Sequence, residues 1–222
     1  VHFISTYLDA VRDIGDPYPL YRNRGKSFQG SIVLGKGFVL EPEEAEELIA
    51  KDPRNRDVIF PYLNGEDLNS RPDQSPSRYV INFFDWPIEK AREYEEPFRM
   101  VEEKVKPERA RNNRQQYREK WWIYGERRPG LYEAIVRLER VLVVARTSKT
   151  VAFAFEIAGT IFSDALCVMA SDRLEIFALL QSACHCQWAW RYSSTFKADL
   201  RYTPSAIFET FPFPGKLVSI RR

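Results

Sequence analysis

The chain has 222 residues, of which 44% are hydrophobic and 14% aromatic, and its formal net charge is +2 at pH 7. This composition indicates a globular protein with one large core or two modest ones, and it argues against a disordered tail. Charged residues interrupt every long apolar run, so the sequence predicts no membrane-spanning segment.

The start of the chain and its cysteines indicate a cytoplasmic location. The opening VHFISTYLDAVRDIG begins with Val rather than Met and lacks the cationic start and apolar centre of a signal peptide. The three cysteines, Cys167, Cys184 and Cys186, are odd in number and predict no disulfide framework, which fits a reducing compartment. We therefore expect a cytoplasmic chain, and one that is a piece of a longer protein.

The predicted fold is α+β, with a mixed or antiparallel sheet packed with helices and more helix towards the C-terminus. Residues 27–40, SFQGSIVLGKGFVL, predict two short strands joined by a tight turn, because apolar residues alternate around three glycines. The alternative for these glycines is a phosphate-binding loop, but the Lys-Ser/Thr pair of a P-loop is missing. Residues 42–52, PEEAEELIAKD, predict a helix with Pro42 in its first turn.

The middle of the chain alternates loops, one strand and a pair of helices. VIFPYL (58–63) lies in a loop-rich connection, and RYVINFF (78–84) predicts a strand. Residues 87–106 have helical spacing and predict a helix bent at Pro97. A second helix, predicted to begin at Pro107, would place its arginines three or four residues apart on one face and so form a cationic ridge.

The last third predicts strands followed by a long helix. LYEAIVRLE (131–139) indicates a short helix, and VLVVAR (141–146) and VAFAF (151–155) indicate two paired strands joined by a turn that carries two cations and three hydroxyls. DALCVMAS (164–171) predicts a further strand. RLEIFALLQSACHCQWAWRY (173–192) is the longest apolar helical pattern and is expected to close the core.

The charge distribution points to an anionic partner. Residues 1–103 carry 13 basic and 20 acidic side chains, whereas residues 104–222 carry 20 basic and 11 acidic ones. Within the second part, residues 104–128 concentrate nine Lys or Arg against three Glu, with adjacent Asn and Gln pairs and a Trp-Trp step. Cations neutralise phosphates, and Arg, Asn and Gln bond base edges in the major groove, so this stretch predicts sequence-specific DNA binding.

Catalytic and metal-binding alternatives fit the sequence less well. Cys184, His185 and Cys186 are adjacent rather than spaced as zinc ligands, so we expect them to pack in the core of a buried helix. Asp85 and the Glu102-Glu103-Lys104 run match the order of a metal-dependent nuclease motif, but they continue a helical pattern where such nucleases place a strand. No catalytic or metal-binding residue is predicted.

The order of several motifs supports a resemblance to a known family. PYLNGEDLN (61–69), RYVINFFDWP (78–87), the Trp-Trp step, ALLQSACHCQWAW (178–190) and LRYTPSAIFETFPFP (200–214) follow one another. In this order the chain resembles the target-recognition region in the C-terminal half of large bacterial DNA adenine methyltransferases, including single-chain restriction-modification enzymes of the MmeI and Eco57I kind. The resemblance implies a lead-in at residues 1–27, a target-recognition domain at 28–214 and a tail at 215–222. The order of predicted elements leaves two alternatives for this domain, a subdivision near 86–107 or continuous packing.

The resemblance implies a division of labour within a longer protein. An upstream methyltransferase domain of the same chain would bind S-adenosylmethionine and methylate the N6 of adenine, while this region reads the surrounding double-stranded DNA. The catalytic motif of adenine methylases, an acidic or Asn residue followed by Pro-Pro and an aromatic residue, does not occur in the sequence. We therefore expect this fragment to hold no cofactor and to be no enzyme alone. Endonuclease activity of the full-length protein, in addition to methylation, is the alternative that the resemblance leaves open.

The DNA-binding residues are predicted from residue type, position and the family resemblance. Arg and Lys suit guanine or phosphate, and Asn and Gln suit adenine. Trp121, Trp122 and Tyr202 are expected to be structural. The predicted DNA-binding residues are Arg109, Arg111, Asn112, Asn113, Arg114, Gln115, Arg118, Arg146, Ser148, Lys149, Ser193, Ser194, Lys197 and Arg201. The alternative function is a protein-interaction module that docks the methyltransferase to a partner subunit or phage-defence component; RNA binding is a weaker third option.

Overall fold

A computed structural model of the chain describes residues 15–196 and 199–214, and it has the predicted α+β architecture. The strands are β1 (Ser27–Gln29), β2 (Val39–Leu40), β3 (Ile59–Leu63), β4 (Arg78–Ile81), β5 (Arg140–Ala145), β6 (Thr147–Ser148), β7 (Phe153–Ile157), β8 (Ile161–Phe162), β9 (Leu166–Met169), β10 (Ser194–Phe196) and β11 (Asp199–Arg201). The helices are α1 (Pro42–Lys51), α2 (Gly65–Ser70), α3 (Ile88–Ala91), α4 (Glu95–Lys104), α5 (Lys106–Ala110), α6 (Gln115–Glu119), α7 (Pro129–Ile135), α8 (Leu174–Leu180) and α9 (Ala183–Tyr192). No helix in the described part of the chain is long and apolar enough to cross a membrane.

The strands form three sheets. The front sheet has the order β2-β4-β3-β8, in which only the β3–β8 pair is parallel. The rear sheet has the order β1-β9-β5-β7 and is antiparallel throughout. A small sheet with the order β10-β11-β6 lies beside them. The two large sheets exchange strands, because β1 from the first half of the sequence belongs to the rear sheet and β8 from the second half belongs to the front sheet.

Several predicted elements are confirmed, and each has a local cause. The helix α1 begins at Pro42, whose missing N–H costs nothing at a helix start, and the Glu44 carboxylate accepts a hydrogen bond from the Glu41 backbone N–H at 3.0 Å. The predicted strands at RYVINFF and DALCVMAS correspond to β4 and β9. The two strands predicted around the RTSKT turn are β5 and β7, and they pair from Arg140 with Ile157 to Val144 with Phe153.

The predicted hairpin at residues 27–40 is wrong. The two strands exist, but β1 pairs with β9 and β2 pairs with β4, so they belong to different sheets. Alternation of apolar residues marks strands but does not reveal their partners. The apolar run VIFPYL, which the sequence places in a loop-rich connection, contains β3, an inner strand of the front sheet.

The three predicted long helices are each interrupted. The helix predicted over residues 87–106 does not bend at Pro97; it divides between α3 and α4, and Pro97 lies in the first turn of α4, where it needs no N–H donor. The long C-terminal helix also divides, because the Ser182 hydroxyl accepts the His185 backbone N–H at 3.3 Å and so caps the start of α9. The helix that was expected from Pro107 onward ends at Ala110.

The core is continuous from the front sheet to the rear sheet. One apolar cluster lies under the front sheet and includes Phe98 and Trp121, so residues 86–124 pack with the strands that precede them. A second cluster joins the rear sheet to α8, α9 and the segment after β11. The cluster between them includes Leu63 of β3, Ile135 of α7 and Val143 of β5, and it therefore joins both sheets.

The His185 side chain is buried between two hydrogen-bond partners. Its Nδ1 lies 3.0 Å from the Leu180 carbonyl oxygen, and the Tyr202 hydroxyl lies 3.2 Å from its Nε2. Burial lowers the pKa of His185 to about 4, so the imidazole is neutral at pH 7. The core position predicted for His185 is confirmed, whereas Cys184 is exposed, contrary to the prediction.

Gly30, which follows β1 of the rear sheet, lies directly against the backbone of Phe162 in β8 and of Ser163. A Cβ atom at this position would overlap the carbonyl oxygens of Phe162 and Ser163. We expect Gly30→Ala to lower the free energy of unfolding by about 2 kcal/mol or more, because backbone on both sides must move. The measurement is urea unfolding followed by tryptophan fluorescence. Gly159→Ala is the matched control, since no atom lies within 4 Å of its added methyl group, and an equal loss in both variants would contradict this account.

The pH dependence of stability tests the environment of Glu156 in β7. Its side chain is 9% exposed, and burial, followed by the charge of Asp73, raises the pKa of its carboxyl to about 7. Because the folded pKa exceeds the unfolded value, this group stabilises the fold most fully below the unfolded pKa, and that contribution is lost as the pH rises through about 7.

We expect Glu156→Gln, which resembles the protonated form, to match the wild type near pH 4.5 and to exceed its unfolding free energy by about 1 kcal/mol at pH 8, after allowance for solvent screening. Urea unfolding at several pH values measures the difference. The control is Glu133→Gln at an exposed site of α7. A constant difference between Glu156→Gln and the wild type at all pH values would refute the assignment.

Candidate nucleic-acid interface

A cleft of about 480 Å³ lies where α2, β6, β11 and the β8–β9 turn meet. It forms because β6 pairs with β11, which places Thr147 opposite Arg201. Arg146 and Arg201, far apart in the sequence, therefore line the same surface. We call this surface the recognition cleft, and its lining residues are Gly65, Glu66, Asn69, Ser70, Arg146, Thr147, Asp164, Ala165 and Arg201.

Arg146 is held rigidly in the wall of the recognition cleft. Its backbone N–H donates to the Ala165 carbonyl at 2.8 Å, and its carbonyl accepts the Tyr202 N–H at 2.7 Å. Its Nη1 donates to the Asp164 carbonyl at 2.9 Å, while its Nε is buried without a hydrogen-bond partner among the described residues. A guanidinium fixed in this way loses little side-chain entropy when it binds a ligand.

The opposite wall supplies an amide and a carboxylate from α2. The helix is fixed at its start by Asn64, whose side-chain oxygen accepts the N–H groups of Glu66 at 2.7 Å and Asp67 at 3.1 Å. Asn69 at its end accepts a 3.4 Å hydrogen bond from the Ser148 hydroxyl, which leaves the amide nitrogen of Asn69 as a donor. Asn69 and Glu66 are not among the residues predicted from the sequence, because the PYLNGEDLN motif carries no signal of base contact beyond the family resemblance.

The other predicted residues near β6 and β10 have different positions. Ser194 lies opposite Arg201 in the β10–β11 pair and is exposed, and Lys149 is exposed in the turn after β6. Ser193 ends α9, and its hydroxyl is buried without a hydrogen-bond partner among the described residues. Lys197 lies outside the residues that the structure describes.

Residues 111–118 form a second basic surface that does not line the recognition cleft. The chain turns after α5, where the Asn112 side-chain oxygen accepts the Arg114 backbone N–H at 2.9 Å. Arg118 Nη1 donates to the Asn112 carbonyl at 2.7 Å, and Arg114 Nη1 donates to the Tyr117 hydroxyl at 3.0 Å. Arg111, Asn113, Arg114, Gln115 and Arg118 are exposed and Asn112 is partly buried. The predicted single helical ridge is therefore wrong, and the cations lie on a turn and the short helix α6.

Arg109 has a structural position instead of an exposed one. Its side chain is only 2% exposed, because α5 packs it against the chain that follows β1. Its Nε donates to the Leu34 carbonyl at 2.7 Å, and its Nη2 donates to the carbonyls of Val33 and Ile123, each at 3.1 Å. Burial lowers the pKa of Arg109 from its ordinary value, but a guanidinium stays protonated at pH 7. In this position Arg109 cannot face DNA.

The aromatic residues predicted to be structural are placed as expected. Trp121 and Tyr202 are buried, and the Trp122 indole donates to the Trp86 carbonyl at 3.0 Å.

The acids of the nuclease-like motif form ion pairs with other residues: Glu102 pairs with Lys106 at 2.8 Å, and Asp85 lies 3.3 Å from Arg127. The described residues contain no group of three or more His, Cys, Asp or Glu side chains that could hold a metal ion.

Comparison with known proteins gives one sequence family and one fold. The family described as "MmeI, target recognition domain" matches residues 25–215. No curated protein matches the chain. Among solved structures, the chain is similar to the Type IIL restriction-modification enzyme MmeI in complex with DNA, with a TM-score of 0.73 and 18% sequence identity. The match covers 95% of this chain and 28% of that chain, so the chain spans little more than a quarter of the length of MmeI.

The burial of Arg109 predicts a large effect on stability. We expect Arg109→Met to lower the free energy of unfolding by about 3 kcal/mol, because three backbone carbonyls lose their hydrogen-bond donor. The measurement is urea unfolding, with Arg111→Met as the matched control at an exposed neighbour. Equal stabilities of the two variants would contradict the structural role of Arg109.

Proposed function

The chain belongs to the family of MmeI target recognition domains, and we propose that it reads a specific sequence of double-stranded DNA for a longer restriction-modification enzyme. The observation that carries this proposal is the recognition cleft, which Arg146 and Arg201 line together with Asn69 and Glu66 of α2. Base edges present both donors and acceptors, and a surface that reads them needs complementary groups of both kinds.

The side chains of the recognition cleft suit direct readout of base edges. Arg146 offers donors from a guanidinium that the backbone of the β8–β9 turn holds in place. Asn69 offers an amide donor, and Glu66 offers a carboxylate acceptor, the group that suits the amino group of cytosine. A rigid arginine discriminates well because it cannot shift to accommodate a wrong base without losing its own hydrogen bonds.

The surface at residues 111–118 suits contact with the DNA backbone or with neighbouring bases. Its arginines are exposed, and no carboxylate among the described residues forms an ion pair with Arg111, Arg114 or Arg118. Exposed cations without carboxylate partners attract phosphates and steer DNA towards a binding surface. In this proposal they position the duplex, and the recognition cleft supplies the sequence preference.

The chemistry of modification belongs to another domain in this proposal. We place the methyltransferase domain, with its S-adenosylmethionine, upstream in the same cytoplasmic protein, and we assign it methyl transfer to the N6 of adenine. The target adenine would be rotated out of the duplex into that domain. The present chain would then set which adenine is presented, without itself binding the cofactor.

The test separates base reading from general attraction to DNA. We expect the protein to enrich a defined site from a pool of random duplexes, and Arg146→Lys to weaken binding of that site by about tenfold or more while scrambled duplexes are bound as before. Lysine keeps the charge but loses the planar fork of donors. The measurement is fluorescence anisotropy with both kinds of duplex.

The matched control is Arg140→Lys. Arg140 is the first residue of β5, and its guanidinium lies 4.0 Å from the centre of the Phe155 ring and outside the recognition cleft. Equal loss for both kinds of duplex in Arg146→Lys would show a phosphate contact in place of base reading. Binding by the wild type that is insensitive to salt, or no DNA binding at all, would favour the protein-docking alternative.

A further inference from the structure

A second concave surface of about 220 Å³ lies between α6 and the loop that leads into α7. Three cationic side chains, Lys120, Arg127 and Arg128, line it together with one acid, Glu126. We call it the basic pocket. It is separate from the recognition cleft, and none of its lining residues was predicted as a DNA-binding residue.

The cations of the basic pocket are only partly neutralised. Arg127 lies 3.3 Å from Asp85, whereas Arg128 is 4.0 Å from Glu126, at the outer limit of an ion pair. The Nε of Arg128 is buried and has no hydrogen-bond partner among the described residues. Buried donors are normally satisfied, so the Arg128 guanidinium retains unused hydrogen-bonding capacity at this position.

A buried charge beneath the pocket adds to its positive potential. Arg109 is 2% exposed, and no carboxylate of the described residues forms an ion pair with it. Its guanidinium donates to the Ile123 carbonyl and lies 5.4 Å from the centre of the Tyr117 ring, and both of those residues line the pocket. A buried cation without an acidic partner acts over a longer range than an exposed one, because solvent screens it less.

The backbone holds the Arg127–Arg128 loop in a fixed position. Glu126 exchanges backbone hydrogen bonds with Ile32, at 3.0 and 3.1 Å, and the Ser31 hydroxyl donates to the Arg127 carbonyl at 3.2 Å. Arg128 has left-handed backbone angles, φ 57° and ψ 52°, which are unfavourable for a residue with a side chain. Such strain persists where the surroundings impose it, and it is frequent at ligand-binding positions.

We propose that the basic pocket binds one phosphate of the DNA backbone, outside the bases that the recognition cleft contacts. The segment at Ser31 and Ile32 joins the two sites, because Ser31 is bridged to Ser163, next to the cleft residue Asp164, and Ile32 is bridged to Glu126 of the pocket. Two strand spacings correspond to about 10 Å, a separation that is short compared with one helical turn of a duplex, about 34 Å. This inference rests on the proposed function, since it assigns a further contact to the same bound DNA.

The variants Arg128→Gln and Lys120→Gln test the proposal, with Arg137→Gln as the control at an exposed arginine that lies outside the pocket. Affinities for a preferred and a scrambled duplex are measured at several salt concentrations. We expect each pocket variant to lose about tenfold in affinity for both duplexes and to lower the salt slope by about 0.9, the value for one phosphate contact. Lys120→Gln does not alter the strained backbone, so it keeps the test valid if Arg128→Gln fails to fold.

A duplex series with single methylphosphonate substitutions locates the contact. At one phosphate position, we expect the neutral substitution to lower the DNA affinity of the wild type but to cause no further loss of affinity in Arg128→Gln. Three outcomes would overturn the phosphate site but not the proposed function. The first is that the affinity losses from the methylphosphonate and from Arg128→Gln add at every position, and the second is that the pocket variants lose affinity for only one of the two duplexes. The third is that the pocket variants bind both duplexes as tightly as Arg137→Gln does. Stabilisation of the wild type by inorganic phosphate, with unchanged DNA affinity in both pocket variants, would also overturn it. A wild type that binds no duplex would overturn the proposed function together with this inference.

Discussion

The close contact between Gly30 and the backbone of Phe162 and Ser163 joins the two large sheets, and both candidate sites depend on it. Gly30 donates its N–H to the Leu166 carbonyl, and Ser31 donates to the Phe162 carbonyl. No side chain fits between these strands. The contact sets the position of the β8–β9 turn, which holds Arg146 on one side, and of the Ser31–Ile32 segment, which holds the Arg127–Arg128 loop on the other.

In the recognition cleft, the surrounding strands hold a short turn in one position. A short strand such as β6 has little stability alone, but its pairing with β11 fixes the direction of the RTSKT segment. Arg146 then receives three contacts from its surroundings, through its backbone N–H, its carbonyl and its Nη1. Residues that are held in this way bind with less loss of entropy than the same residues on a free loop.

The basic stretch at residues 104–128 divides into three roles that its composition does not separate. Arg109 is a buried support, whose hydrogen bonds join α5 to the chain after β1 and to Ile123. Residues 111–118 form an exposed turn and short helix. Lys120, with Arg127 and Arg128, lines a separate pocket. Nearby arginines therefore differ in their surroundings, because burial and backbone direction change within a few residues.

Periodicity, prolines at first turns and motif order were enough to predict the fold class, the family, six of the eleven strands in the described residues and several helix starts. Pro42 and the paired apolar runs around RTSKT predicted α1, β5 and β7 correctly. The sequence also identified Arg146 and Arg201 as candidates from residue type, but not their common cleft. The tertiary structure alone decided that β1 and β2 belong to different sheets, that Arg109 is buried, and that Asn69 faces Ser148. The reason is that strand partners and burial depend on contacts between distant residues, and local spacing carries no information about those contacts.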